Sequence, residues 1–260
     1  YSSAVQFGEK LWIFDRAHYR VLGSFENPDY DAGDPASELY VWQLREASDF
    51  AYEPTVTISR DPDGGGTPYE PFNLIGGRFT DSFLATATAT TYQLSYDGIE
   101  AGSTVVKKLG ASSTAKNKVW LTLAEGTDYT VDTALGQVLF ASAPGVTPVT
   151  GEDNVVVSAG KTIPEYVAMI AGCRVCTLFG TEGAENRVFA AGNPEYPERD
   201  WYSQMDNPAY FGETWYADLG AGSSRIMGYS HVGNLLAAHR ENAEGNGNVI
   251  LRAGEISEGE

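Results

Sequence analysis

The sequence predicts an all-β fold: a propeller-like or sandwich β domain, interrupted by an inserted immunoglobulin-like β-sandwich and carrying one short helix. Two observations point there. Apolar runs are short and divided by turn-rich stretches throughout, and 29 Gly and 15 Tyr stand beside only 3 Met, a balance that favours strands and turns over helical bundles. At 260 residues the chain is long enough to bury a substantial core in one large or two smaller β domains.

The elements follow in order. Residues 9–22 read as two apolar strands joined at a turn near Asp15 to Ala17, a hairpin signal. Leu39 to Leu44 and Thr55 to Ser59 supply further strands, with turn-rich Asn27 to Pro35 and Asp61 to Gly66 beside them, and short strands at this spacing suit a propeller or sandwich. From Ser82 to Ser158 the texture becomes rich in Thr and Ala, with strand candidates at Thr91–Leu94, Val105–Lys108, Val119–Leu123, Tyr129–Asp132, Gln137–Phe140 and Val155–Val157. Glu125 to Asp132 followed by Leu135 to Val138 reads as a strand, a Gly-containing turn and a return strand. This is the expected immunoglobulin-like insert. Ile163 to Ala171 is the helix, with Thr162 placed to cap it, Pro164 in its first turn and Gly172 as its stop. Cys173 to Phe179, Arg187 to Ala191, Arg225 to Tyr229 and Leu235 to Ala238 then restore the strand-turn rhythm. The expected division is therefore 1–81 and 160–260 as two parts of one domain, with 82–159 inserted.

The segment from Asn193 to Tyr216 stands out. Its prolines argue against a long helix or a central strand, because each removes a backbone donor and fixes φ. Yet it carries Tyr196, Trp201, Tyr202, Tyr210, Phe211, Trp215 and Tyr216, too much aromatic surface for a disordered linker. An ordered loop is expected, whose rings either pack it onto a β scaffold or in part stay exposed as a stacking surface for a partner, and these residues are the candidate interface anchors, since Trp and Tyr lead among interface hot spots.

A formal charge of −18 argues against a general nucleic-acid binder, whose affinity comes from lysines and arginines that release phosphate counterions. Acidity on this scale promotes solubility, and it would also suit a wall past which DNA slides without sticking. No run approaches the roughly 20 apolar residues of a membrane span, and Tyr1 to Phe7 has no signal-peptide form. A soluble chain with no membrane partner is expected. The absent initiator Met and the tail Gly254 to Glu260 suggest a processed product or part of a longer polypeptide.

Chemistry-bearing patterns are sparse. Cys173 and Cys176 have the spacing of half a zinc site, but a second cysteine pair is lacking and His231 and His239 are distant in sequence, so two buried thiols are expected and no metal centre. Asp29, Asp31 and Asp34 share one loop, and Asp61 and Asp63 precede three glycines; carboxylates so placed could hold calcium, yet Asp commonly caps its own turn. Glu195, Glu198, Asp200 and Asp206 lie among the aromatic rings, the ingredients of a glycoside hydrolase without its required separation. The chain has no Gly-x-Ser-x-Gly elbow, no P-loop after Gly64-Gly65-Gly66 and no basic cluster beyond Lys107-Lys108, which are read as exposed strand residues. No enzyme, cofactor or small-molecule substrate is expected.

A family resemblance adds to this. Thr55 to Arg60 with Asp61 to Gly66, then Asn73-Leu74 and an insert containing Glu125 to Val131, resembles virion structural proteins of tailed bacteriophages. The most specific part is Arg187-Val188-Phe189 with Gly192 to Pro197, Asp200 to Ser203, Asn207 to Phe211 and Ile226 to Tyr229. The resemblance implies a tail or neck component similar to the propeller-bearing nozzle proteins through which DNA leaves a short-tailed particle. It implies a virion location and partners that are other virion proteins and copies of the chain in a ring. DNA would pass without specific binding, and no catalytic residues are implied. The alternative is a carbohydrate-binding or glycan-degrading surface protein, which needs Trp201 and Trp215 exposed in a groove facing carboxylates.

Overall fold

In the computed structural model, which describes residues 2–180, 184–219, 224–241 and 249–253, the chain is all-β, with several open sheets and one short α-helix among the described residues. β1 (Ser3–Phe7), β2 (Lys10–Phe14), β3 (Tyr19–Glu26) and β4 (Tyr40–Glu46) form an antiparallel meander in chain order. The expected hairpin is β2 with β3. Its turn is held by Asp15, whose Oδ1 accepts the backbone N–H groups of Ala17 at 3.1 Å and His18 at 2.7 Å, the self-capping that makes Asp a turn residue. Tyr19, Val21 and Phe25 alternate inward along β3 and are buried, as one covered face of a sheet requires.

The next strands build a different sheet. β5 (Thr55–Arg60), β6 (Thr67–Pro68), β7 (Arg78–Phe83), β8 (Thr91–Gln93), β9 (Val105–Leu109), β10 (Trp120–Thr122), β11 (Tyr129–Asp132), β12 (Gln137–Phe140) and β13 (Val155–Gly160) form one sheet in the order β10-β9-β13-β7-β5-β6 and a second in the order β11-β12-β8. Rings from both sheets close the gap between them: Phe83 meets Tyr92 edge-on at 5.3 Å, and Tyr92 meets Phe140 edge-on at 4.9 Å. This is a two-sheet sandwich. Gly136 makes one of its tight passages, with φ of +62° and no room for a Cβ, which would stand 2.1 Å from the Tyr96 carbonyl oxygen.

The boundaries of this unit differ from the expected 82–159. The chain divides into a unit of Glu53–Ile163 and a unit of Tyr1–Tyr52 with Pro164–Glu260. Thr55 to Arg60, expected in the first part, belongs to the sandwich because β5 runs parallel to β7 and β7 pairs antiparallel with β13 along its whole length. A parallel neighbour is joined by a crossover rather than a hairpin, so no local turn signal announces it.

The other unit resumes with α1 (Pro164–Ala171) and a second meander, β14 (Val175–Phe179), β15 (Arg187–Ala191), β16 (Arg199–Tyr202) and β17 (Tyr216–Asp218). β18 (Ile226–Val232), β19 (Leu235–Arg240) and β20 (Val249–Ala253) make a third, three-stranded one. The first strands of the three meanders adjoin, β1 lying against β14 and β14 against β18. Ala191, Leu219, Ile226 and Ala238 pack as one core cluster here, and Phe179, Phe189 and Leu236 as another.

Candidate functional site

The aromatic segment departs from the expected loop. Residues Arg199–Tyr202 form β16, an inner strand between β15 and β17. Pro194, Pro197 and Pro208 all fall outside these four residues, so every amide of the strand keeps its donor and the proline argument does not reach it. Asn193 opens the segment by closing α1: its Nδ2 donates to the carbonyls of Ala168 at 3.0 Å and Met169 at 2.9 Å, partners that a helix end leaves open.

The predicted anchors separate into three groups. Trp201, Tyr210 and Phe211 are wholly buried and present nothing to a partner. Trp201 meets Tyr196 edge-on at 5.6 Å, Tyr210 lies 4.9 Å from Tyr52 and 4.5 Å from Trp215, and Phe211 meets Tyr19 edge-on at 5.9 Å. Tyr196, Tyr202 and Trp215 are half-buried, and Tyr216 is exposed. The period-2 alternation of a strand explains part of this outcome, since Trp201 and Tyr202 must face opposite sides.

Part of what reaches the surface from the segment is one stacked cluster. The Arg199 guanidinium lies 3.6 Å from the centre of the Tyr216 ring and 5.3 Å from that of Tyr196. It forks onto Asp218 with bonds of 2.7 and 3.0 Å. That bidentate bond holds the Asp218 carboxyl below its ordinary pKa of 3.8 and raises that of Arg199. A planar cation stacked on a ring and forked onto a carboxylate is pre-organised. The cluster is well suited to contact and has no reacting group.

The carboxylates considered for hydrolysis differ in exposure, Glu198 being half-buried. Asp200 is fully buried in β16, with the Tyr229 hydroxyl 3.5 Å from it, while Glu195 and Asp206 are exposed. Trp201, which the glycan reading needs on the surface, is in the core. The thiols are not reactive either. Cys173 is buried and Cys176 partly so, and both are free; burial pushes Cys173 well above its ordinary pKa and Cys176 to about 11, so neither supplies a thiolate at neutral pH. His231 bonds the Thr177 hydroxyl at 3.3 Å and His239 the Ser230 hydroxyl at 2.7 Å. Among the described residues no three His, Cys, Asp or Glu side chains gather as metal ligands. Asp31 and Asp34 each accept a backbone N–H of their own loop, from Gly33 at 2.8 Å and Ala36 at 2.9 Å.

The most exposed aromatic surface lies elsewhere. On β4, the outermost strand of the first meander, Tyr40, Trp42 and Leu44 are 60%, 72% and 52% exposed, and their spacing of two puts them on one face. A second exposed apolar edge lies on β10, the outermost strand of its sheet, where Val119, Trp120 and Leu121 all meet solvent. Lys107 is exposed and Lys108 half-buried on the adjoining β9, and the basic character extends to the exposed Lys116 and Lys118 in the connection to β10. The alternation of Leu39 to Leu44 signals a strand but not which face meets water; the lysines were visible as residues, and only the return of β10 onto β9 groups them.

No protein-family model matches the chain, and no curated protein or solved structure is significantly similar to it.

Proposed function

We propose that this chain is a non-enzymatic structural component of a tailed-bacteriophage virion, in the tail or neck, acting through contacts between subunits and lining a route that DNA traverses without being held. The observation that carries the reading is the set of meanders in the unit of residues 1–52 and 164–260, whose first strands adjoin and which we read as blades of a propeller. With it goes the phage-like series from Arg187 to Tyr229, which spans two of these meanders. A net charge of −18 accords with a wall that repels a polyanion. Stacked clusters such as Arg199 with Tyr196, Tyr216 and Asp218 lose little freedom when a neighbour docks, which favours assembly through preorganised contacts.

The test is immunogold labelling of purified tailed particles from a lysate in which the chain is expressed. Labelled tails or necks support the reading; unlabelled particles, with the chain recovered only in the soluble fraction, overturn it. Tight binding on a glycan array by a chain that stays monomeric at high concentration would transfer support to the carbohydrate-binding alternative.

A further inference from the structure

The two exposed apolar edges carry opposite charge. From Val21 to Leu44 the chain has Glu26, Asp29, Asp31, Asp34 and Glu38 and no Lys or Arg. All five acids are exposed; they lie at the end of β3 and in the connection to β4, close in sequence to Tyr30, Leu39, Tyr40, Trp42 and Leu44, each at least 42% exposed, while Arg45 of β4 pairs with Asp49 at 3.2 Å. From Val105 to Thr122 the reverse holds: Lys107, Lys108, Lys116 and Lys118 occur with no Asp or Glu between them. This gathers four lysines of a chain whose only others are Lys10 and Lys161. Lys116 and Lys118 immediately precede the exposed Val119, Trp120 and Leu121, and on β9 the exposed Lys107 and the half-buried Lys108 stand across from Thr122 and Leu121. Lys118 also pairs with Glu152 at 2.6 Å, but both side chains remain well exposed, where such a pair contributes little.

Both edges have the same backbone character. β4 pairs with β3 on one side and β10 with β9 on one side, and no further strand flanks either among the described residues. An edge strand presents a row of amides and carbonyls ready to pair with another chain. Natural edges are often guarded by charge, and here the guard is selective. Two β4 edges would bring five acids against five, and two β10 edges would bring lysines against lysines, so each edge refuses its own kind. Opposite charges arranged around an apolar centre instead favour β4 against β10.

We propose that the β4 edge of one copy pairs with the β10 edge of the next, joining copies of this chain head to tail through an acidic apolar edge and a basic apolar edge. The inference rests on the reading of the chain as an assembling structural protein and names the surfaces and the partner of that assembly. A contact between two different patches is heterologous, and repeats of it close into a ring when the rotation between copies permits. The apolar residues supply the non-directional attraction, while the charges set which edges meet and accelerate the encounter at low salt.

The experiment is sedimentation velocity of the full chain over a concentration series at low and high salt, with two charge-reversed variants. One carries Glu26→Lys, Asp29→Lys and Glu38→Lys; the other carries Lys107→Glu and Lys116→Glu. The wild type is expected to associate, less strongly as salt screens the edges. Each variant alone meets like charge and is expected to associate at least tenfold more weakly. An equimolar mixture of the two is expected to reassemble, because the reversed edges now complement each other. Circular dichroism confirms that the variants fold, and Trp42→Asp, which removes the most exposed ring of the stripe and leaves the edge's own acids and the lysines in place, is expected to weaken association to a similar degree. Wild-type-like association of both variants, or failure of the mixture to recover, overturns the edge pairing and leaves the assembly reading standing. A wild type that remains monomeric at every concentration and salt overturns the assembly reading itself. Glycan-array binding that is lost in Trp42→Asp would overturn the pairing in favour of a sugar-stacking stripe.

Discussion

Rings fill the cores of both units, but the 53–163 sandwich also buries a carboxylate and a guanidinium beside its parallel strand pair. Asp81 is wholly buried, and its carboxylate accepts the Thr57 hydroxyl at 2.5 Å, the Ser95 amide at 2.7 Å and the Ser95 hydroxyl at 2.6 Å. Arg60, also buried, donates to the carbonyls of Gln93, Gly65 and Leu94. The other unit packs Phe14, Tyr19, Trp201, Tyr210 and Phe211, linked by stacked and edge-on contacts such as Phe14 with Tyr19 at 4.2 Å, and its buried Asp200 lies within a regular antiparallel ladder. The difference follows topology. Meanders pair strands that are neighbours in sequence, with tight turns at β1–β2, β2–β3 and β18–β19 to set their register. The parallel pair β5 and β7 has an irregular ladder, with register shifts after Thr55 and again before Arg60, and no hairpin to align it. Side chains with fixed hydrogen-bond geometry hold it in one register, because a slip would leave a buried carboxylate unpaired.

The comparison can be broken by substitutions read unit by unit with hydrogen-exchange mass spectrometry. Trp201→Ala should have the largest effect, a loss of about 4 kcal/mol from transfer and cavity together. Protection should fall across residues 187–218 and persist across 91–140. Equal loss in both would mean that the units open as one block. Asp81→Ala comes next, at about 3 kcal/mol, because it strands a buried amide and two hydroxyls, and its loss should appear across β5, β7 and β8 first. The opposite ranking would show that rings, not charges, hold the sandwich.

A smaller effect tests the sandwich by pH. Glu53 is partly desolvated, which raises its pKa, but bonds from Ser158, Arg78 and Thr80 outweigh this and bring it below the ordinary 4.5; Arg78 Nε lies 2.7 Å from it and the Thr80 hydroxyl 2.7 Å. With the folded value depressed, its contribution is complete above the unfolded value of 4.5 and is lost as pH falls through the folded one. Acidification below about pH 4.5 should therefore weaken the sandwich, and Glu53→Gln should remove that part of the slope while lowering stability at neutral pH by about 1 kcal/mol. A pH profile unchanged by Glu53→Gln would remove Glu53 from the account. The smallest effect is expected at the surface of the other unit: Asp218→Asn breaks an exposed ion pair and should change stability by less than about 0.5 kcal/mol. A larger loss would show that the stacked Arg199 depends on its carboxylate for more than placement.

Much of the fold was legible in particular residues. Asp15 announced its hairpin, Pro164 and Gly172 bounded the one helix, and the alternations at Tyr129–Asp132 and Gln137–Phe140 became strands β11 and β12. The strands β1 and β7 were missed: Ser3–Phe7 is short and mixed, and Arg78–Phe83 places Asp81 inward, where a polar residue reads as an outward one. The candidate surface was less legible. A tyrosine or tryptophan is equally at home in a core and at a contact, so the aromatic composition of its segment pointed to the enclosed Trp201 as an anchor and passed over the exposed Trp42.

By itself the sequence determined the class of this protein, its turns and helix ends, and the strands whose period-2 pattern is clean, because these depend on chemistry within a few residues of each other. Only the tertiary structure decided that β5 joins the middle sheet, that Trp201 is enclosed while Trp42 is exposed, and that Lys107 and Lys108 come to lie opposite Thr122 and Leu121 of β10. Those outcomes depend on which strands become neighbours across long stretches of chain. A strand has two faces and two edges, and only its neighbours determine which of them water will meet.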